Sequence, residues 1–306
     1  VILSSIDIGT NTVLLLIAEV NEDGTIKPLF HAQRLPRLGR GVDSSRRLTA
    51  ESMERVIGIL REYRRQVQEH GAASTIVCGT SAVRDAANRE EFALRVFRET
   101  GFTLEVLTGQ MEALWGYRGA VSGVPGLRAA LVVDIGGGST EFAAGNERLL
   151  HASRSVDTGS VRLSERFFLH DPPAPEEIEQ ARASVRREIP AIEVPPGATF
   201  VGVAGTATAL AVLAQGLKEF RISAVTNYPL ARPLVDQLFS RLSALPSRAI
   251  RELSAVMEGR ADVITAGALI LQEVMRHFAC HEILVSERGL RYGLLVREWE
   301  RLRPKD

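Results

Sequence analysis

SIDIGTNTVLLLI (residues 5–17) and LVVDIGGGSTEF (residues 131–142) decide how this chain is read. Each is an apolar run that ends in Asp-Ile-Gly, passes through a short polar turn and continues into a second apolar run. Runs of this length and β-branched content predict a strand, a turn and a second strand in both places. The two copies lie about one domain's length apart, which points to an internal duplication rather than a short repeat. Glycine lets a turn approach a ligand closely, and successive amides in such a turn form a nest suited to an anion. Gly9, Thr10, Asn11 and Thr12 in one copy, and Gly136, Gly137, Gly138, Ser139 and Thr140 in the other, are therefore candidates to hold phosphate oxygens from opposite sides of a cleft. Asp7 and Asp134 end the strands just before these turns, where a hydrated Mg²⁺ would accept one or two carboxylates and keep its waters. A pair of Gly-rich β-turns capped by aspartate is the purely structural alternative.

Composition narrows the class. The chain has 306 residues, 45% of them hydrophobic and 24% charged, enough to build a real core. Lys plus Arg and Asp plus Glu are 37 each, and this balance argues against a general nucleic-acid coat. No apolar run reaches the roughly 20 residues that span a membrane. The first apolar residues run straight into Asp7 and Gly9 with no basic head, so no signal peptide is expected. Cys78 and Cys280 are too few for a disulfide framework and fit packing in a reducing cytosol. A cytoplasmic protein with no membrane partner is the expectation.

Along the chain, Thr49 is placed to cap a helix over 49–70 whose inward face carries Met53, Val56, Ile57, Leu60, Tyr63 and Val67. STIVCGTS, TLEVLTG, AALVVDI, TEFAAG, TFVGVAG and EILVSE read as strands. Helices are expected over NREEFALRVFRETG, 110–120, 161–169, 174–188, TATALAVLAQ, ARPLVDQLFSRLSAL, 262–278 and the final GLRYGLLVREWERL. The turn formers of VSGVPG (121–126) mark a boundary between an N-terminal domain, 1–122, and a C-terminal domain, 127–306. Strands and helices alternate in both halves, so both are α/β. The last helix, 288–302, has an apolar face of Leu290, Leu294, Leu295 and Trp299 to bury, and packing back on the first domain is an expectation for it. Residues 27–47 read as a mostly loop segment in which Lys27, Arg34, Arg37, Arg40, Arg46 and Arg47 face one acid, Asp43. Arginine forks suit phosphate, so this is either a basic rim for a polyanion or a solvated loop face.

With both turns in view the chain resembles the actin, sugar kinase and Hsp70 superfamily, which implies two ribonuclease H-like domains flanking a phosphate-binding cleft. GTSAVRDAANREEF (79–92), LTGQMEALWGYRG (107–119), VDIGGGSTEF (133–142), VDTGSVRLSERF (156–167), VAGTATALA (203–211), GRADVITAGALIL (259–271) and VSERGLRYGLL (285–295) narrow this. Together, and in order over nearly the whole chain, they resemble the exopolyphosphatase and guanosine pentaphosphate phosphatase family. The resemblance implies that Glu112 activates the attacking water and that Glu141 is a second acid of the cleft, a metal or water ligand. It implies that Asp134 is associated with Mg²⁺ and that Arg84 reaches the phosphate chain. Phosphoryl transfer to water needs these parts: an in-line water, neutralised charge and a fixed phosphate.

Two departures stand out. Met111 occupies the position where the family often carries a second glutamate, which would alter the field around Glu112. His170-Asp171 spells the dipeptide of the helical phosphohydrolase domain that many relatives append, but it leads into Pro172-Pro173 and reads as a turn. The six histidines show no metal-ligand spacing. The resemblance implies a Mg²⁺-dependent exopolyphosphatase acting on inorganic polyphosphate, with guanosine pentaphosphate hydrolysis as the close alternative. A non-catalytic polyphosphate or alarmone sensor and a sugar kinase rank lower, and a homodimer rests on analogy alone.

Overall fold

The computed structural model describes residues 1–124, 126–146 and 149–303. The chain forms two compact units, one of Val1–Gly119 together with the described chain from Leu290, the other of Ala120–Gly289. The segment 121–126, read above as the domain boundary, includes Pro125, which lies outside the described residues, as do residues 304–306 of the 127–306 domain.

The first unit opens with β1 (Ile2–Ile8), β2 (Val13–Val20) and β3 (Ile26–Arg34), continues through helices α1 (Val42–Ser45) and α2 (Ala50–Glu69), then β4 (Ser74–Gly79), α3 (Ser81–Asp85), α4 (Arg89–Thr100), β5 (Leu104–Val106) and α5 (Gly109–Val121). Its sheet runs β3-β2-β1-β4-β5. The β1–β2 and β2–β3 pairs are antiparallel, the β1–β4 and β4–β5 pairs parallel.

The second unit contains β6 (Ala129–Ile135), β7 (Thr140–Asn146), β8 (Leu150–Val156), α6 (Ser160–Phe167), α7 (Pro175–Glu188), β9 (Thr199–Val203), α8 (Ala204–Ala214), α9 (Ile222–Val225), β10 (Tyr228–Ala231), α10 (Arg232–Ser243), α11 (Ser247–Arg251), α12 (Ile264–His277) and β11 (Glu282–Val285). Its sheet runs β10-β11-β9-β6-β7-β8. Read from β8, the first five strands repeat the first sheet: two antiparallel pairs, then two parallel ones. Only β10, antiparallel on β11, is added. The duplication read from two short stretches therefore extends to a whole five-stranded topology, and the α/β class holds.

The chain ends its described structure in α13 (Leu290–Leu302), which returns to the first unit. One face of that unit's sheet is covered by α2 and α4, with Ile6, Ile8, Val13, Leu15 and Ile17 packed on Met53, Ile57, Leu60 and Phe92. Thr49 caps α2 by accepting from the Ser52 amide at 3.1 Å, and Tyr63 donates its hydroxyl to the Val13 carbonyl at 3.1 Å. The opposite face is covered by α13. Tyr292 and Leu295 pack on Leu3, Leu16 and Val20, and Leu290 and Leu294 on Ile76, Cys78 and Leu107. Gly293 permits this, since a Cβ there would lie 1.7 Å from the Trp115 carbonyl oxygen of α5. Both cysteines are buried and unbridged. Burial pushes both thiols up, that of Cys280 to about 11, so neither is a ready nucleophile.

Residues 27–47 are more ordered than their charge predicts. Lys27 to Arg34 belong to β3, and Val42–Ser45 form α1, leaving the loop at 35–41.

Candidate active site

In both units the chemistry gathers at the carboxyl ends of parallel strands, where α/β sheets place their ligands. In the first unit β1 ends at Asp7 and Ile8, β4 at Gly79 and β5 at Val106. The turn between β1 and β2 is closed by the Gly9 amide donating to the Thr12 carbonyl at 2.9 Å. A Cβ on Gly9 would come within 3.2 Å of that oxygen. The carbonyls of Thr10 and Asn11 accept from the amides of Gly39 (2.8 Å) and Arg37 (3.2 Å). The turn is thereby held by its oxygens.

Thr80 connects this turn to the candidate catalytic pair. Its amide donates to the Ile8 carbonyl at 3.1 Å, and its own carbonyl accepts from the Arg84 amide at 2.9 Å. The short α3 so formed carries Arg84, whose Nη1 reaches Glu112 Oε2 at 2.8 Å and the Leu107 carbonyl at 3.1 Å. Glu112 stands in the first turn of α5 and is 11% exposed at its side chain, Arg84 21%. Burial pushes the Glu112 carboxyl above the usual carboxylate range, and the Arg84 guanidinium opposes that shift. Such a carboxylate, fixed by one arginine nitrogen and raised by burial, is suited to take a proton as a general base does. Met111, beside it, packs with the apolar cluster of Ile76, Cys78 and Leu107.

Asp7 is half-buried, and its buried Oδ1 has no hydrogen-bond partner. Desolvation, and then the charge of Glu112, raise its carboxyl to about 7, with Arg291 of α13 pulling the other way. A buried carboxylate oxygen with nothing to accept is a place where a cation would relieve a cost.

The second unit repeats the turn almost atom for atom. The Gly136 amide donates to the Ser139 carbonyl at 3.0 Å, and a Cβ on Gly136 would lie 3.2 Å from that oxygen. Here the carbonyls are taken by α6. Ser160 donates its amide to Gly136 O at 2.9 Å, Val161 to Gly137 O at 2.8 Å, and Arg162 Nε reaches Gly138 O at 2.7 Å. Gly159 makes the close approach possible, since its Cβ would fall 2.5 Å from the Gly137 carbonyl carbon and 2.6 Å from the Gly138 nitrogen. Oxygens bound on the helix side leave the turn as a donor nest for an anion. Thr140 is tied down by donating its hydroxyl to the Thr158 carbonyl at 2.5 Å.

Asp134 and Glu141 are direct partners across the β6–β7 ladder, which places two carboxylates side by side. Glu141 is buried and accepts from the Ser155 hydroxyl at 2.7 Å. Asp134 lies under Gly289, whose Cβ would come within 4.0 Å of Oδ2. Among the described residues, no group of three or more His, Cys, Asp or Glu could hold a metal by itself. Magnesium needs less, one or two carboxylates with water and substrate oxygens completing the octahedron. The Asp134–Glu141 pair and the unpartnered Asp7 oxygen fit that demand.

The structure thus brings Asp7, the 9–12 turn, Arg84 and Glu112 together in one unit, and Asp134, the 136–140 turn and Glu141 in the other. Sequence reasoning gave no role to Thr80, Gly159 and Arg162, although the quoted stretches 79–92 and 156–167 contain them, nor to Ser155, which lies outside any motif; all four touch the site residues through hydrogen bonds or close packing. It also missed Arg260, packed against Gly205 at the start of α8. Burial lowers this guanidinium to about 10 with no charged neighbour among the causes. His170, by contrast, is occupied locally with Glu177 (Nδ1 to Oε1, 2.7 Å), and Asp171 accepts from the Ser247 amide (2.8 Å) at the start of α11. No described helix is long and apolar enough to cross a membrane.

Comparison with known proteins places these features in context. A model of the Ppx/GppA phosphatase family matches residues 16–302. Exopolyphosphatase 2 of Mycobacterium tuberculosis is 34% identical over 96% of this chain and 97% of its own length. Among solved structures, the Aquifex aeolicus Ppx/GppA family member is 32% identical, with a TM-score of 0.85 over 99% of both chains. An exopolyphosphatase from Cytophaga hutchinsonii is 27% identical, with a TM-score of 0.86 over 99% of both chains.

Proposed function

The chain belongs to the Ppx/GppA phosphatase family, and from that premise we propose that it is an exopolyphosphatase, releasing terminal orthophosphate from inorganic polyphosphate by attack of water. The observation that carries the assignment of roles is the mostly buried Arg84–Glu112 pair, joined through Thr80 to the phosphate-type turn at Gly9. A phosphoanhydride hydrolase has little covalent work to do and much positioning and charge compensation.

In this reading Glu112 orients the attacking water and takes its proton on a carboxylate oxygen. Arg84 holds Glu112 in place and brings its positive charge to a phosphate oxygen. In one unit the hydroxyls of Thr10 and Thr12, and in the other the amides of Gly137, Gly138 and Ser139, offer donors to phosphate oxygens. Each within its own unit, Asp134 with Glu141, and separately Asp7, would hold Mg²⁺. When bound, that ion offsets the charge of the phosphate oxygens.

The deciding experiment measures phosphate release with Mg²⁺ from polyphosphate and from guanosine pentaphosphate, at matched terminal-phosphate concentration. A preference for polyphosphate is the expected result, and a preference for the nucleotide reassigns the substrate. Glu112→Gln should lower kcat by about 10²- to 10⁴-fold, the usual worth of a positioned base, while polyphosphate still binds. Unchanged turnover in that variant would remove Glu112 from the role.

A further inference from the structure

We propose that the segment from Arg37 to Arg47 is a track for the distal phosphates of a polyphosphate chain, so that affinity grows with chain length; this rests on the exopolyphosphatase reading above. The segment is built onto the catalytic parts of its own unit at both ends. At one end, Arg37 and Gly39 donate their amides to the Asn11 and Thr10 carbonyls, and Gly39 sits so close that a Cβ would lie 2.4 Å from Thr10 Cγ2. At the other, the Arg46 carbonyl accepts from the Ala87 amide at 2.8 Å, and Arg46 Nη1 stands 4.0 Å from Asp85, the neighbour of Arg84. The segment therefore runs from the phosphate-type turn to the helix that carries Arg84.

Its chemistry is that of a polyanion site. Arg37, Arg40, Arg46 and Arg47 face a single acid, Asp43. The side chains of Arg46 and Arg47 are exposed, as is that of Arg40. Arg37 and Arg46 hold φ of 54° and 53°, the left-handed region that non-glycine residues seldom enter. The same loop uses glycine for this conformation at Gly41, with φ 73°. At Arg46 this state is the C-cap of α1, its amide donating to the Val42 carbonyl at 2.9 Å. Arginine's planar fork matches phosphate oxygens bidentately, and its charge does not titrate away.

The composition of the segment also chooses between polyanions. Residues 35–48 contain no aromatic side chain. A nucleotide or a single-stranded nucleic acid is commonly held by stacking its bases on such rings. A bare phosphate chain needs none.

The test is the double variant Arg40→Gln/Arg47→Gln, two exposed side chains whose loss should leave folding intact. Binding of long-chain polyphosphate and of tripolyphosphate is measured across a salt series, alongside phosphate release by the parent protein. The expected result is a preference for long chains that falls about tenfold, with the slope of log affinity against log salt reduced by about 1 to 2, the counterions two arginines would release. Arg40→Glu/Arg47→Glu should deepen both effects. Equal loss for long and short chains, an unchanged salt slope, or no binding of long chains by the parent would overturn the track. Absence of phosphate release from polyphosphate by the parent would overturn the enzymatic reading, while the binding series still judges the track.

Discussion

Arg84 Nη1 donates to Glu112 Oε2 at 2.8 Å and, from the same nitrogen, to the Leu107 carbonyl at 3.1 Å. One guanidinium thus fixes the proposed base against the end of β5. The pair also sets the protonation of that base. Burial raises the Glu112 carboxyl and Arg84 lowers it, so removing Arg84 leaves burial unopposed. In Arg84→Ala the acidic limb of the kcat/KM profile should move to higher pH, because Glu112 must be ionised to accept a proton. A loss of about 10²-fold or more in kcat/KM should accompany it. A pH–rate series on polyphosphate checks both. An acidic limb that stays where it is would show that another group sets it.

Asp7 makes a prediction about stability rather than rate. Its carboxyl is raised to about 7 from the ordinary 3.8, because desolvation and then Glu112 disfavour its charge. The stability it contributes as a neutral acid is complete below about pH 4 and is lost as pH rises to about 7. Asp7→Asn keeps the neutral form at every pH. Its gain over the parent should grow across that window, level off above it, and reach as much as about 4 kcal/mol. Denaturation at pH 5 and pH 8 in the presence of a chelator measures this. Millimolar Mg²⁺ should raise the Tm of the parent at pH 8 and leave that of the variant unchanged.

What could be read from the sequence follows the position of each strand in its sheet. The inner strands β1, β2, β4, β6, β7 and β9 are apolar enough to stand out, and the two Asp-Ile-Gly turns between them revealed the duplication. The strands overlooked, β3, β8 and β10, all lie at sheet edges. Their patterns are mixed: Lys27, Pro28 and Arg34 in β3, His151 and Arg154 in β8, Pro229 in β10. Edge strands carry charge and proline because one side is unpaired, and those are the signals otherwise read as loop. The site divides the same way. Residues inside a turn motif were visible. Ser155, on an edge strand, and Thr80, acting through its backbone, were not. The bond between Arg84 and Glu112 joins residues on separate helices, and no periodicity reports it.

Ser155 provides a test of Glu141. Its hydroxyl donates to Glu141 Oε1 at 2.7 Å from the facing position on β8. Groups that orient a metal-binding carboxylate are typically worth 10- to 100-fold in affinity. Ser155→Ala should raise the Mg²⁺ concentration for half-maximal activity about tenfold, while kcat at saturating Mg²⁺ changes much less. Calorimetric Mg²⁺ titration gives a readout independent of turnover. An unchanged Mg²⁺ requirement would take Glu141 out of the metal site.

Gly159 tests whether the 136–140 turn works as a nest held from behind. Its missing Cβ is what allows α6 to donate into the turn carbonyls, for an added methyl would sit 2.5 Å from the Gly137 carbonyl and 2.6 Å from the Gly138 nitrogen. Those are backbone atoms, so the clash cannot be relieved by a side-chain rotation. Either α6 or the turn must shift, breaking bonds such as Val161 N to Gly137 O at 2.8 Å. Gly159→Ala should therefore cost about 1–3 kcal/mol of stability, as overpacking does, and weaken polyphosphate binding by at least tenfold. Gly58→Ala is the matched control. It lies within α2 with nothing inside 4 Å of the new methyl, and should stabilise the protein by about 0.5–1 kcal/mol. A Gly159→Ala protein that lost stability but bound polyphosphate normally would show that the turn's amides do not carry the substrate.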